Sequence, residues 1–259
     1  MTSSVSVLGC GHMGSALLKG LGSSEEFETI GYDITEDTIA RIEEFCTRTT
    51  TDITEASTAD IVVIAVKPDT VPAVLSELSL SSEQTLVTIA AGVTREFVMS
   101  RTNADVVRVM PNLAGQLNEM AAAVSWDHEN QTVSAMLDEL GNYVVIDEAH
   151  MDVATALNGS GPAFVYYLID AMRQQAVEEG LNDTAAKALS IQTFIGAAEM
   201  VRAAEKSIDE LIDAVCSPNG TTIEGMSVLF SSRVEQQVGE ALTAATDRSR
   251  EISAEVSHD

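Results

Sequence analysis

A chain of 259 residues with 45% hydrophobic residues has the material for a buried core, which excludes disorder as a description. Forty acidic residues stand against 14 basic ones for a net charge of −26, and the acids are spread evenly, clustering no further than Glu25-Glu26, Glu43-Glu44 and Glu178-Glu179. No basic stripe exists to neutralise phosphates, so nucleic-acid binding is excluded. The even acidity predicts a protein adapted to a saline cytoplasm, where a Debye length of about 3 Å in molar salt screens its self-repulsion.

Met1-Thr2-Ser3-Ser4 leads straight into a β-rich run, without the basic segment and apolar core of a signal peptide. No stretch approaches the roughly 18 apolar residues of a membrane span. A cytoplasmic location is expected. Cys10, Cys46 and Cys216 are too few and too scattered for a disulfide framework or a zinc site, and read as small packing residues; no metal is expected. Asn-x-Ser/Thr triplets begin at Asn130, Asn158, Asn182 and Asn219 and, without a secretion signal, are chance or serve another purpose.

The first element is the strand Val5 to Leu8, ending in Gly9-Cys10-Gly11-His12-Met13-Gly14. A helix follows with Ala16, Leu17 and Leu21 on one face. A second strand, Thr29 to Tyr32, ends at Asp33, and Thr35 opens a helix carrying Ile39, Ile42 and Phe45. Ile61 to Val66 is a continuous apolar run, the signature of a central parallel strand covered on both faces. Leu86–Ile89, Val106–Val109 and Tyr143–Ile146 repeat the theme. Strands separated by helical stretches predict a Rossmann-like α/β fold with a doubly wound parallel sheet over residues 1–150. Beyond that point strand-like runs stop. Residues 151–259 read as an all-helical domain with breaks at Gly180-Leu181-Asn182-Asp183 and Ser217-Pro218-Asn219-Gly220.

Gly9, Gly11 and Gly14 match G-x-G-x-x-G in the context that gives it meaning: after a strand, opening a helix, with an acid further on at Asp33. The first glycine permits a tight turn. The second admits a pyrophosphate to the helix N-terminus, and the third lets helix and strand pack closely. A carboxylate at Asp33 suits ribose hydroxyls and repels a 2′-phosphate, which favours NADH. Against that, Ile34-Thr35 could hold a phosphate, and high salt would soften the repulsion.

Five segments, in order along the whole chain, resemble the pyrroline-5-carboxylate reductase family. They are the glycine motif with Met13, Ala65-Val66-Lys67-Pro68, Arg108-Val109-Met110-Pro111-Asn112, Gly159-Ser160-Gly161-Pro162-Ala163, and Ser217-Pro218-Asn219-Gly220-Thr221-Thr222. The resemblance implies an NAD(P)H-dependent oxidoreductase that reduces the cyclic imine of 1-pyrroline-5-carboxylate to L-proline. It further implies that Ser217, the backbone amides of Gly220 and Thr221, and Thr222 hold the substrate, with Thr222 acting on the ring nitrogen. Ala65, Val66, Lys67 and Pro68 together with Met110, Pro111 and Asn112 would line the nicotinamide, beside Gly9, Gly11, His12, Met13, Gly14 and Asp33.

Glu205 falls where the family often carries a carboxylate near substrate, and it reads equally as a solvated acid. Thr222 could also be a helix-capping hydroxyl, and Lys67 a surface lysine. A homodimer with shared active sites is implied, with a decamer beyond it. Three positions depart from the family pattern: His12 where asparagine is common, Asn158 for a serine, and Asn219 for a glycine. Asparagine best tolerates a left-handed backbone, so the loop shapes are expected to survive. A related cyclic-imine or hydroxyacid reductase, or a non-catalytic nicotinamide sensor, are the rival readings.

Overall fold

The computed structural model describes residues 2–256. The chain forms two compact units, one made of residues up to Ser160 together with those from Leu242 onward, the other of Gly161–Ala241. The change of sequence pattern predicts a division at residue 150. The structure instead carries the first unit through a π-helical turn, Thr155–Ser160, and returns the end of the chain to it.

The first unit is built on one eight-stranded sheet. Its strands are β1 (Ser3–Leu8), β2 (Phe27–Tyr32), β3 (Arg48–Thr50), β4 (Ile61–Ile64), β5 (Thr85–Thr88), β6 (Asp105–Met110), β7 (Met120–Ser125) and β8 (Gly141–Val145). They lie in the order β3-β2-β1-β4-β5-β6-β7-β8. Every neighbouring pair is parallel except β6 with β7. The expected parallel sheet therefore gains an antiparallel turn-back that the sequence did not announce.

Helices cover both faces, as continuous apolar strands require. On one face, α1 (His12–Leu21), α2 (Glu36–Ile42) and α6 (Gln131–Leu140) pack Leu17, Leu18, Ile42, Met136 and Leu140 against Val5, Val7, Val63 and Val107. On the other, α3 (Ile53–Ala56), α4 (Val71–Glu77) and α5 (Arg95–Met99) cover Leu8, Val62, Ile64 and Leu86. All four residues of β4 are essentially fully buried. Each such side chain contributes about 1.5–3 kcal/mol relative to exposure, which fixes β4 as the sheet's centre. After α7 (Met151–Ala154) comes the π-helical turn.

The second unit contains α8 (Gly161–Glu178), α9 (Asp183–Ala203), α10 (Ile208–Val215) and α11 (Thr221–Phe230). The last helix, α12 (Val234–Val256), begins there, and its final turns belong to the first unit, where Ile252 and Val256 join the second apolar layer. Helix ends occur at the two expected breaks, and also at 204–207 and 231–233. Along α8 the consecutive residues Val165, Tyr166, Tyr167 and Leu168 are all at least 38% exposed. Successive residues point about 100° apart, so this turn of the helix is apolar around most of its circumference. Exposed apolar surface of that kind marks an interaction face.

Candidate functional site

The glycine turn is shaped by its neighbours. Gly9 has φ +96°, and a Cβ there would lie 2.7 Å from Val66 Cγ1. A Cβ on Gly14 would overlap the Gly9 carbonyl oxygen, so helix α1 can approach β1 only with glycine at that point. Gly11 is the opposite case: a Cβ there would meet nothing within 4 Å. It is also the N-cap of α1, without a side-chain cap and with no acid in the first turn. The unpaired N–H groups and the positive end of the helix dipole are therefore open to an anion. Five other helices, α3, α5, α6, α9 and α10, are closed at this end by Asp52, Thr94, Asn130, Asn182 and Ser207.

A cavity of about 380 Å³ adjoins this turn, with His12, Ser15, Lys19 and Arg41 on its walls. Lys19 stands 5.1 Å over the Phe45 ring, and Arg41 donates to the Asp37 carbonyl and Thr38 Oγ1. Among the described residues neither cation pairs with a carboxylate, although the chain carries 40 acids. The sequence reading missed both. Lys19 could have been noticed as a cation on the motif helix; Arg41 reaches the cavity only through the packing of α2.

Asp33 ends β2 half-buried, and both its oxygens are engaged. Oδ2 accepts from the Cys10 amide at 2.9 Å and Oδ1 from the Thr35 amide at 3.0 Å. The carboxylate thus ties β2 to the glycine turn and stands fixed beside it, each oxygen keeping a second lone pair. Cys10 is buried, and burial together with Asp33 pushes its thiol up to about 12. Cys46 rises to about 11 through burial. Both are packing residues, inert as nucleophiles at neutral pH.

The second motif sits where β4 meets β1. The Ala65 amide donates to the Leu8 carbonyl at 2.8 Å, Val66 underlies Gly9, and Lys67 is exposed at the head of the short turn Pro68–Thr70. The strand ends at Ile64, two residues before the apolar run does. At the end of β6, Met110, Pro111 and Asn112 are all buried. Asn112 Oδ1 caps the turn Leu113–Leu117 by accepting from the Ala114 amide, and Nδ2 donates to the Asn158 carbonyl at 3.2 Å. The Asn112 side-chain amide is thus committed within the protein, and the Met110-Pro111-Asn112 turn forms a buried floor at the end of β6.

The remaining predicted residues belong to the second unit. Asn219 takes φ +60°, the left-handed conformation expected of it. The Gly220 amide donates to the Ser217 carbonyl at 2.9 Å, closing the loop. The Gly220 N–H, expected to face a carboxylate, is thus engaged within its own loop. The unpaired amides are those of the first turn of α11, beginning with Thr221 and Thr222, since the N-cap Gly220 provides no side-chain cap. Thr222 is half-buried, while Ser217 and Thr221 are exposed. Glu205 lies exposed between α9 and α10.

Comparison with known proteins adds the family context. A family model described as pyrroline-5-carboxylate reductase dimerisation matches residues 148–252, and one described as NADP oxidoreductase, coenzyme F420-dependent, matches residues 4–92. A pyrroline-5-carboxylate reductase of Methanosarcina acetivorans is 33% identical over 96% of this chain and 97% of its own. The Escherichia coli protein of that name is 32% identical over 98% and 99%. Among solved structures, Plasmodium falciparum pyrroline carboxylate reductase with NADP bound superposes with a TM-score of 0.87 at 27% identity, covering 97% of this chain and 98% of that one.

Proposed function

The chain belongs to the pyrroline-5-carboxylate reductase family, and we propose on that basis that it reduces the cyclic imine of 1-pyrroline-5-carboxylate to L-proline, and from Asp33 that it prefers NADH over NADPH. The observation that carries the reading is a pair of helix starts, α1 and α11, each following a glycine and each without a side-chain cap. The reaction needs two anion sites, one for a pyrophosphate and one for a carboxylate, and uncapped helix N-termini supply that chemistry.

A bound reduced nicotinamide supplies the hydride. The protein's part is to hold and to exclude. Gly9, Gly11, His12, Met13 and Gly14 form the pyrophosphate turn, with Ala65, Val66, Lys67 and Pro68 and the Met110-Pro111-Asn112 floor on the nicotinamide side. Ser217, Gly220 and Thr221 shape the carboxylate loop. Thr222 offers its hydroxyl to the ring nitrogen, which needs a proton as the C=N carbon gains hydride. Glu205 stands as an outer substrate contact. The rate gain comes from fixing two reactants in register more than from a paired acid and base. Asp33 sets the cofactor preference, because a fixed carboxylate beside the adenosine ribose repels a second phosphate. Lys19 and Arg41 oppose it, and molar salt weakens both effects. The exposed apolar circumference of α8 supports a homodimer with shared sites, and the even acidity supports work in a saline cytoplasm.

The test is oxidation of NADH and of NADPH with 1-pyrroline-5-carboxylate, at low and molar KCl, beside Thr222→Ala. Expected is turnover that rises with salt, prefers NADH, and falls about a hundredfold in the variant if Thr222 handles the proton. Preference for NADPH would refute the Asp33 argument alone. Cofactor binding without turnover at any salt would refute the substrate.

A further inference from the structure

The π-helical turn Thr155–Ser160 interrupts the run from α7 to α8, and such turns recur at functional positions because they push one residue out of the helical ladder. Here Asn158 uses the displacement. Its Nδ2 group donates to the Met110 carbonyl at 2.7 Å and to the Ala121 carbonyl at 3.0 Å. In return its own carbonyl accepts from Asn112 Nδ2 at 3.2 Å, while Asn112 Oδ1 accepts from the Ala114 and Ala121 amides. Two side-chain amides thus lace together the end of β6, the start of β7 and the π turn. The Met110 and Ala121 carbonyls lie where the antiparallel β6–β7 ladder runs out, its last paired residue being Met110 with Ala123. The Asn158 amide thus carries the tie between the two strands past the last pair of their ladder.

Only a side chain with two N–H donors at this reach can satisfy both carbonyls. A serine, common at this place in the family, has one donor and a shorter arm. We propose that Asn158 is a positioning residue: it fixes the Met110-Pro111-Asn112 floor, and through it the pose of a bound nicotinamide, while leaving the adenosine half of the site untouched. The inference rests on the proposed assignment of that floor to the nicotinamide. It predicts that the conservative change Asn158→Ser loosens the floor, whereas Asn158→Asp sets a carboxylate against two carbonyl oxygens and expels it.

The experiment compares wild type, Asn158→Ser and Asn158→Asp by titration with NADH and with ADP-ribose, which lacks the nicotinamide, and by steady-state rates with 4-deuterated NADH. Expected in Asn158→Ser is NADH binding weakened about fivefold, the scale of one lost hydrogen bond, with ADP-ribose affinity unchanged. Its kcat should fall about tenfold or more, with an increased deuterium isotope effect as hydride transfer becomes the slow step. Asn158→Asp should show the same selectivity, more strongly. Parallel weakening of both ligands, or a fall in rate with the isotope effect unmoved, would assign Asn158 a merely structural role and overturn the proposal. So would wild-type behaviour throughout. A wild-type protein that binds ADP-ribose and NADH equally would refute the nicotinamide floor itself.

Discussion

Arg108 offers the sharpest energetic test of the first unit. It lies on β6 at 2% exposure, and its Nη1 meets Glu148 Oε1 at 2.8 Å, an oxygen that also accepts the Arg95 amide at 3.1 Å. Arg108 Nε and Nη2 and Glu148 Oε2 have no partner, so Glu148 is the one carboxylate pairing with this guanidinium among the described residues. Glu148→Ala should leave a buried cation without counter-charge, a change that costs about 3–5 kcal/mol in a fully enclosed pair. The Glu148 side chain is 30% exposed, so water relieves part of the penalty and the lower figure, about 3 kcal/mol, is expected. At about 2–4 °C per kcal/mol for a domain of this size, Tm should fall by about 6–12 °C. The assay is thermal unfolding followed by circular dichroism in molar KCl at one fixed protein concentration, since association shifts Tm by mass action. The double variant Arg108→Met, Glu148→Leu removes both charges and should recover most of the loss. A Glu148→Ala shift under about 3 °C, or a double variant no more stable than the single, would refute the reasoning.

Three further outcomes are expected. Gly14→Ala forces α1 away from the Gly9 carbonyl, a clash with backbone that cannot yield; destabilisation of about 1–3 kcal/mol, together with loss of NADH binding, should appear in denaturant titration. Asp60 accepts from the amide and hydroxyl of Ser4, which hold its carboxyl below the usual range. A depressed folded-state pKa gives stability that is present above the unfolded value and lost as pH falls through the folded one. Asp60→Asn should therefore be less stable than wild type at pH 7, with the gap closing below about pH 4 in paired acid titrations. Finally, Tm should climb steeply between low and molar KCl, because a net charge of −26 repels itself until screened; a flat profile would remove the argument for a saline habitat.

Much of this architecture was legible in the sequence because the decisive signals were local. The run Ile61 to Val66 announced a central strand, and Gly9, Gly11 and Gly14 announced the turn beside it. What escaped was set by tertiary packing. In β7 the residues Ala121, Ala122 and Ala123 favour helix on propensity, and only pairing with β6 and β8 makes them a strand. β3, with Arg48, Thr49 and Thr50, is too short to show a pattern. The four Asn triplets proved to be backbone devices. Asn130 and Asn182 cap helices, Asn158 laces the sheet end, and Asn219 takes the left-handed turn. Of the site residues, those defined by backbone conformation were readable and Lys19 was within reach as a cation on the motif helix, whereas Arg41 became visible only when α2 was set beside α1. The engagement of Asn112 was hidden for a similar reason, its partner lying 46 residues away.

The last turns of α12 carry a consequence for biosynthesis. Ile252 and Val256 complete the apolar layer over β4 and β5, and Ser249 Oγ donates to Asp152 at 2.7 Å, yet residues 161–241 intervene in the chain. On the ribosome the nucleotide-type unit is therefore synthesised first but finished last. Until the helix emerges, Val62, Leu86 and their neighbours present an incomplete surface, and nascent chains stalled within α9 or α10 should engage chaperones more than released ones.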